Sequence, residues 1–440
     1  MTYCKLLAAH SYNQVQAKTE FEDFTQADKR SLYGDQLGSM SFLEGLSIVD
    51  EPKIIIVDIG AAYTKCGLAG ETGPRCIIAS QVRNPRTKEV DNIWNYSNTS
   101  ELYESLKELV YALIFKHLLV TPKDRRVVVV ESLLCPSEFR ETLARVLFKQ
   151  FEVGSVLFAS SHLLSLLTLG TNTGLVMDIG FKETLVVPIY EGIPIMKGWQ
   201  SLPVAGKAIE SRIKTQLMEH GTVSTSEQKF EAVSSVPESI TDDVIEDIKV
   251  RCCFVTDFSR GQQIQEVTMR GGHANKLPPP PPDIDYPLDG GSILNVSGRI
   301  REHSCEVLFE QDNEEISIAT LLLEALVKCP IDTRRVLSSS VVIIGGTAMM
   351  PGFYHRLNCE LIELLRKPHY ANQLGVKQFR FYRPPTKENY TAWLGGALTG
   401  ALETLPSKSL SRDAYLQRGK LPDWCCVDSD DLCEEKRHKL

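Results

Sequence analysis

The chain has 440 residues, 43% of them hydrophobic and 24% charged, with a formal net charge of -8. That length and usage suit two or three folded domains with sizeable cores, and the negative balance speaks against nucleic acid as a general partner. No run of eighteen apolar residues occurs, so no membrane-crossing helix is expected, and the opening MTYCKLLAAHSYNQ makes a poor secretory leader.

Residues 1–49 are polar and weakly periodic and read as a flexible extension. Ordered pattern starts at Ile54-Ile55-Ile56-Val57, a continuous β-branched run of the kind buried on both faces of a sheet. It ends in Asp58-Ile59-Gly60, and residues 65–69 read as the return strand of a hairpin. A helix is expected over 100–118, from Leu102, Leu106, Leu109, Val110 and Leu113 at helical spacing. A buried strand over 126–130 and a helix over 137–151 follow, the helix with a serine cap signal at Ser137. Another helix is expected over 161–169.

The opening pattern then recurs 120 residues on. Leu175-Val176-Met177 leads into Asp178-Ile179-Gly180, and 184–190 reads as a return strand, a weak repeat of a whole subdomain. Residues 242–258 read as one helix, and 271–289 as an exposed loop carrying five consecutive prolines, Pro278 to Pro282. A third turn, Gly345-Gly346, closes the buried run Val341-Val342-Ile343-Ile344. Alternating strands and helices imply an α/β protein with mixed sheets. The 12 cysteines are scattered, with adjacent pairs at Cys252–Cys253 and Cys425–Cys426, no CxxC and no zinc spacing. They read as buried thiols of a cytosolic protein, and the Asn-x-Ser/Thr triplets at Asn98, Asn295 and Asn389 as chance matches.

Three glycine turns at strand ends can form a phosphate cradle, because glycine lets backbone N–H groups approach an anion. Asp58 and Asp178 can hold Mg²⁺-bound waters beside the phosphates, and Lys65 can neutralise phosphate charge. A single Asp-x-Gly turn more often marks an ordinary hairpin; two copies with the Gly345-Gly346-Thr347 turn favour a nucleotide. No GxxxxGK[ST] is present, so this is no P-loop protein.

Here the residues resemble the actin family. Asp58-Ile59-Gly60 with Lys65-Cys66-Gly67-Leu68-Ala69-Gly70-Glu71 resembles its first phosphate loop, and Asp178-Ile179-Gly180 through Tyr190-Glu191-Gly192 its second. Ile344-Gly345-Gly346-Thr347-Ala348-Met349-Met350-Pro351-Gly352 resembles its adenosine motif, Ala392-Trp393-Leu394-Gly395-Gly396-Ala397 its C-terminal helix, and Glu246-Asp247-Ile248-Lys249 a further segment. The divergence is similar to that of the dynactin branch of actin-related proteins. The resemblance implies an actin fold: two lobes, each on a ribonuclease-H-like mixed sheet, with ATP or ADP and Mg between them. It implies a small lobe over 50–152 completed by 391–440, and a large lobe over 153–390. Asp58, Gly60, Lys65, Asp178, Gly180, Lys249, Gly345, Gly346 and Met349 would line the nucleotide.

The departures from the family matter as much. Ala61 and Ala62 stand where the first loop has a hydroxyl residue and a glycine, and Phe181 and Lys182 where the second has an acid and a glycine. The water-orienting glutamine is expected at Arg145, the catalytic-site histidine at Leu185, and the lysine behind the adenine at Asn389. Weak or absent hydrolysis follows. The stretch 80–95 is short where the family carries a whole subdomain that grips the next protomer. The expected function is therefore a non-polymerising pointed-end cap in dynactin, in the cytoplasm and on the cytoskeleton. Its partners would be actin-related filament subunits and pointed-end subunits, with dynein engaged indirectly. The face around 307–350, with the apolar Leu321-Leu322-Leu323 helix, is expected to dock on the filament. The alternatives are an active ATPase like the sugar kinases or heat-shock chaperones, and a nuclear actin-related subunit of a chromatin remodeller.

Overall fold

The computed structural model describes residues 54–83, 89–224, 230–270, 277–288, 291–311 and 314–422. The expected extension over 1–49 lies outside them. Strands run in the order β1 (Ile55–Ile59), β2 (Tyr63–Leu68), β3 (Cys76–Ala79), β4 (Gln81–Arg83), β5 (Val90–Asn92), β6 (Arg126–Glu131) and β7 (Ser155–Ser160). They continue as β8 (Gly174–Ile179), β9 (Thr184–Tyr190), β10 (Ile193–Pro194), β11 (Gln200–Leu202), β12 (Thr222–Ser224) and β13 (Phe230–Ala232). The last are β14 (Ile284–Pro287), β15 (Ile293–Val296), β16 (Val341–Ile344), β17 (Phe381–Tyr382) and β18 (Leu410–Ser411).

Two mixed sheets dominate. The first has the order β18-β7-β6-β1-β2-β3 and the second β10-β9-β8-β16-β17, with β11 added on β9. In the first, β1 pairs antiparallel with β2 and parallel with β6. In the second, β8 pairs antiparallel with β9 and parallel with β16. The recurrent Asp-Ile-Gly pattern is thus a repeated structural unit, a hairpin whose first strand also carries a parallel neighbour. The runs Ile55–Ile56, Val127–Val130 and Val341–Ile344 are buried throughout, which explains their unbroken apolar character.

Helices cover the sheets. The helix α1 (Thr99–Tyr111) is capped by Asn98, whose side chain accepts from the Glu101 N–H at 2.9 Å. Residues 112–118 continue it in a wider winding, so the expected extent holds while the pitch changes. In α2 (Ser137–Arg145) the expected serine cap is absent. Pro136 occupies the cap position with no side-chain hydrogen bond, and Ser137 is already helical. The helix α3 (Ser161–Leu167) carries the chain from β7 to β8, and α4 (Gly206–His220) follows β11.

The single helix expected over 242–258 is two. The first, α5 (Asp242–Cys252), stops because Cys253 turns extended. The Asp257 carboxylate then accepts from the Arg260 N–H at 3.0 Å and starts α6 (Phe258–Arg270). Next comes α7 (Gly298–His303). The apolar α8 (Ile318–Val327) corrects the docking expectation, since Leu321, Leu322 and Leu323 are all buried in the larger core beneath the second sheet. They hold the lobe together and are not available to a filament. The proline loop is also shorter than expected, because Ile284–Pro287 forms an edge strand on β15. The remainder at 271–276 and 289–290 lies outside the described residues. Finally α9 (Thr391–Gly400) returns the chain to the first sheet. It crosses α3 so closely that a Cβ on Gly395 would overlap the Leu164 carbonyl.

Candidate nucleotide cleft

The two hairpin turns close alike. The Gly60 N–H donates to the Tyr63 carbonyl at 3.1 Å, and the Gly180 N–H to the Glu183 carbonyl at 3.2 Å. Antiparallel register sets Asp58 opposite Lys65, and their side chains form an ion pair at 3.0 Å, each 15% exposed. The residues after β3 clamp the first turn. Ser80 Oγ and Trp94 Nε1 donate to the Gly60 carbonyl at 2.7 and 3.0 Å, and Asn92 Nδ2 donates to the Ala61 carbonyl at 2.9 Å. Trp94 is itself stacked on Phe139, with ring centroids 4.0 Å apart.

The second turn faces the first. Burial pushes the Asp178 carboxyl up to about 6, against the pull of Lys65, and Asp58 adds a repulsive push. The third turn closes on the second. Parallel register places Ile344 beside Asp178. Gly345 has φ +98, and a Cβ there would overlap the Ile179 carbonyl and lie 2.8 Å from Asp178 Oδ1. Only glycine fits such a position. Its N–H donates to the Glu388 carbonyl at 2.9 Å, and Thr347 Oγ1 donates to the Gly180 carbonyl at 2.7 Å. Gly346 is different, because the nearest atom to a Cβ there is Asn389 Cβ at 4.0 Å. Asp58 and Lys65 of the first hairpin thus lie within electrostatic reach of Asp178, with Gly60 at their turn, and Gly345 closes on Asp178 and the Gly180 turn, with Gly346 open beside it.

The outer residues are less uniform. Lys249 is paired with Glu210, and its ammonium lies 5.8 Å from the centre of the Phe181 ring. It reaches the second turn through Phe181 and is half committed to the carboxylate. Met349, 40% exposed, sits just past the third turn. Leu185 lies opposite Asp178 on β9 and is 2% exposed among Leu166, Val176 and Val187. Arg145 corrects the expectation of a place beside the phosphates. It ends α2 with its guanidinium 4.7 Å from the centre of the Tyr103 ring, and its charge is felt by Tyr415, another residue of the first sheet's core. The structure gives it no contact with the three turns.

One feature escaped the sequence. The clamp from Ser80, Asn92 and Trp94 was hidden in a stretch without periodicity. Asn389 Oδ1 is a buried acceptor with no hydrogen-bond partner among the described residues, next to the open side of Gly346. An orphaned buried acceptor beside a glycine cradle suits a ligand that brings its own donor. For a divalent cation the donors are two carboxylates, one per turn, and no cluster of three metal-ligating side chains occurs among the described residues. That set fits Mg²⁺ carried on phosphates, with waters completing its shell, rather than a cation caged by protein alone.

The family model described as Actin matches residues 49–425. The chain is 29% identical over 442 residues to Actin-related protein 10 of Dictyostelium discoideum, covering 86% of this chain and 90% of that one. It is 26% identical over 397 residues to Putative actin-29 of the same organism, covering 83% and 94%.

Proposed function

The chain belongs to the actin family, and we propose that it is a non-polymerising structural member that caps the pointed end of dynactin's actin-like filament. The observation that carries this reading is the connection from β3 to α1. Among its described residues it holds the β4–β5 hairpin and a turn, and their side chains pack back on the first turn through Ser80, Asn92 and Trp94. A family member whose connection folds home in this way has little to offer an incoming protomer, and head-to-tail growth stops where one of the two faces is missing. Likeness to Actin-related protein 10 supports the same branch. The partners on this reading are actin-related filament subunits on one side and pointed-end subunits on the other. Dynein is engaged indirectly, in the cytoplasm and on the cytoskeleton.

The cleft serves structure on this reading. Asp58, Asp178 and Lys65 hold Mg–ATP or Mg–ADP, the three glycine turns wrap the phosphates, and Asn389 meets a donor of the base. On this reading apolar Leu185 beside Asp178 and Phe181 in the second turn supply no group to orient a water for attack, so bound ATP persists. Sedimentation of the purified chain in Mg–ATP and salt, beside actin at the same concentration, tests the proposal. The chain should stay monomeric; long homopolymers would refute it.

A further inference from the structure

Five consecutive prolines leave the backbone little choice. Each ring fixes its own φ, and each residue that precedes a proline is driven out of the helical region, so 278–282 form a left-handed polyproline ridge. With three residues per turn and about 3.1 Å of rise, the ridge is ~15 Å long, and Pro279 and Pro282 lie one turn apart on the same side. In this chain the ridge is fastened down. Arg260 Nη2 donates to the Pro279 carbonyl at 3.2 Å, and Arg301 Nη1 donates to the Pro282 carbonyl at 2.6 Å. Both arginines are themselves locked. Arg260 forks onto Glu302, which is 1% exposed, at 2.5 and 2.8 Å, and Arg301 Nε donates to the Cys252 carbonyl at 2.9 Å. Gly298 at the head of α7 completes the seat, since a Cβ there would overlap the Pro281 carbonyl.

The fastening works through backbone carbonyls and leaves the rings outside. Pro278, Pro279, Pro280 and Pro282 are exposed, and the ridge runs into the edge strand β14 past the exposed carboxylates of Asp283 and Asp285. We infer that this ridge is a preformed docking site for a protein domain that reads polyproline through an aromatic-lined groove with a basic rim. Ring pairs one turn apart match the slots between aromatic side chains in such grooves. Flanking Asp283 and Asp285 favour a positively charged rim over an acidic one. Two anchoring arginines and Gly298 remove most of the ordering cost that a loose proline segment would bear on binding.

The test uses the full-length chain and a panel of purified SH3, WW and EVH1 domains with basic groove rims, each ¹⁵N-labelled and titrated by NMR. At least one domain should bind saturably, with shifts confined to its aromatic groove. Affinity should fall about tenfold or more in a chain carrying Pro279→Ala with Pro282→Ala, and should weaken as salt is raised. Arg301→Gln, which frees one anchor and keeps every proline, should weaken binding by a smaller factor. Melting curves of each variant show that the chain remains folded. The inference is overturned if no domain of the panel binds, or if the double proline variant binds as tightly as the original chain.

Discussion

Gly345 and Gly346 are neighbours with opposite surroundings, and substituting each separates the stability of the cleft from its occupancy. Gly345→Ala forces a side chain into φ +98 and sets a Cβ against the Ile179 carbonyl and 2.8 Å from Asp178 Oδ1. The backbone strain costs about 1–3 kcal/mol, and relieving the overlap costs about 1–3 kcal/mol more. Together that is ~2–6 kcal/mol, a large share of the roughly 5–15 kcal/mol that keeps a folded chain folded. Gly346→Ala meets nothing nearer than Asn389 Cβ at 4.0 Å and has φ -66, so the ligand-free protein should hardly change. Urea unfolding followed by tryptophan fluorescence, with nucleotide stripped beforehand, compares the two. Gly345→Ala should unfold at a clearly lower midpoint and Gly346→Ala within error of the parent. Equal midpoints for Gly345→Ala and the parent would refute the close approach of the third turn to β8. Gly346→Val extends the pair: it should fold, yet lose bound nucleotide because its branches fill the open side of the cradle. Full nucleotide retention in that variant would show that the nucleotide is not held at this turn.

Asp178 makes the stability of the empty cleft depend on pH. Its carboxyl is raised to about 6 from an ordinary 3.8, chiefly by burial, so between about pH 4 and 6 the folded chain holds a proton that the unfolded chain releases. Stability from this group is therefore greatest below pH 4 and is lost as pH rises through 6. Asp178→Asn should raise the ligand-free melting temperature at pH 8, with the gain vanishing near pH 4, while weakening Mg–nucleotide binding; a lower melting temperature at pH 8 would contradict this. Bound ATP should be hydrolysed about a hundredfold or more slowly than in actin, because Leu185 and Phe181 supply no water-positioning group, and actin-like phosphate release in a single-turnover assay would sink the expectation. Glu306 accepts from Arg356 Nη1 and Nη2 at 2.9 Å each and from Thr256 Oγ1 at 2.5 Å, with both charged side chains fully buried. Arg356 Nε also donates to Glu360 at 2.8 Å, so Glu306→Ala leaves the guanidinium one carboxylate and should cost about 1–3 kcal/mol for the buried donors it unpairs, measured as a loss of folded protein in urea; no measurable change would show that the pair is not buried as described.

The parts legible in the sequence were those written by strong local physics. β-Branched runs ending in Asp-x-Gly marked β1 and β8 because a buried strand and a tight hairpin leave few alternatives, and their recurrence matched a real structural repeat. The third turn followed from the same logic. Failures came where tertiary contacts decide. Leu321–Leu323 look identical whether they face a partner or a core, and they face the core. The break after Cys252 was signalled only by Asp257, a cap easily lost between two helical patterns. The place of Arg145 depends on which face of α2 looks at the phosphates, which position along the chain does not reveal, and its guanidinium faces Tyr103 instead. The clamp on the Gly60–Ala61 turn draws on Ser80, Asn92 and Trp94, scattered residues that meet at this turn only once the chain has folded.

The most direct test of the capping account is imaging of single dynactin-type actin-related filaments seeded with this chain bearing one fluorophore. The account predicts one labelled molecule per filament, at the pointed end only, and no further growth from that end. Label distributed along the filament, or continued pointed-end growth past a labelled molecule, would contradict it.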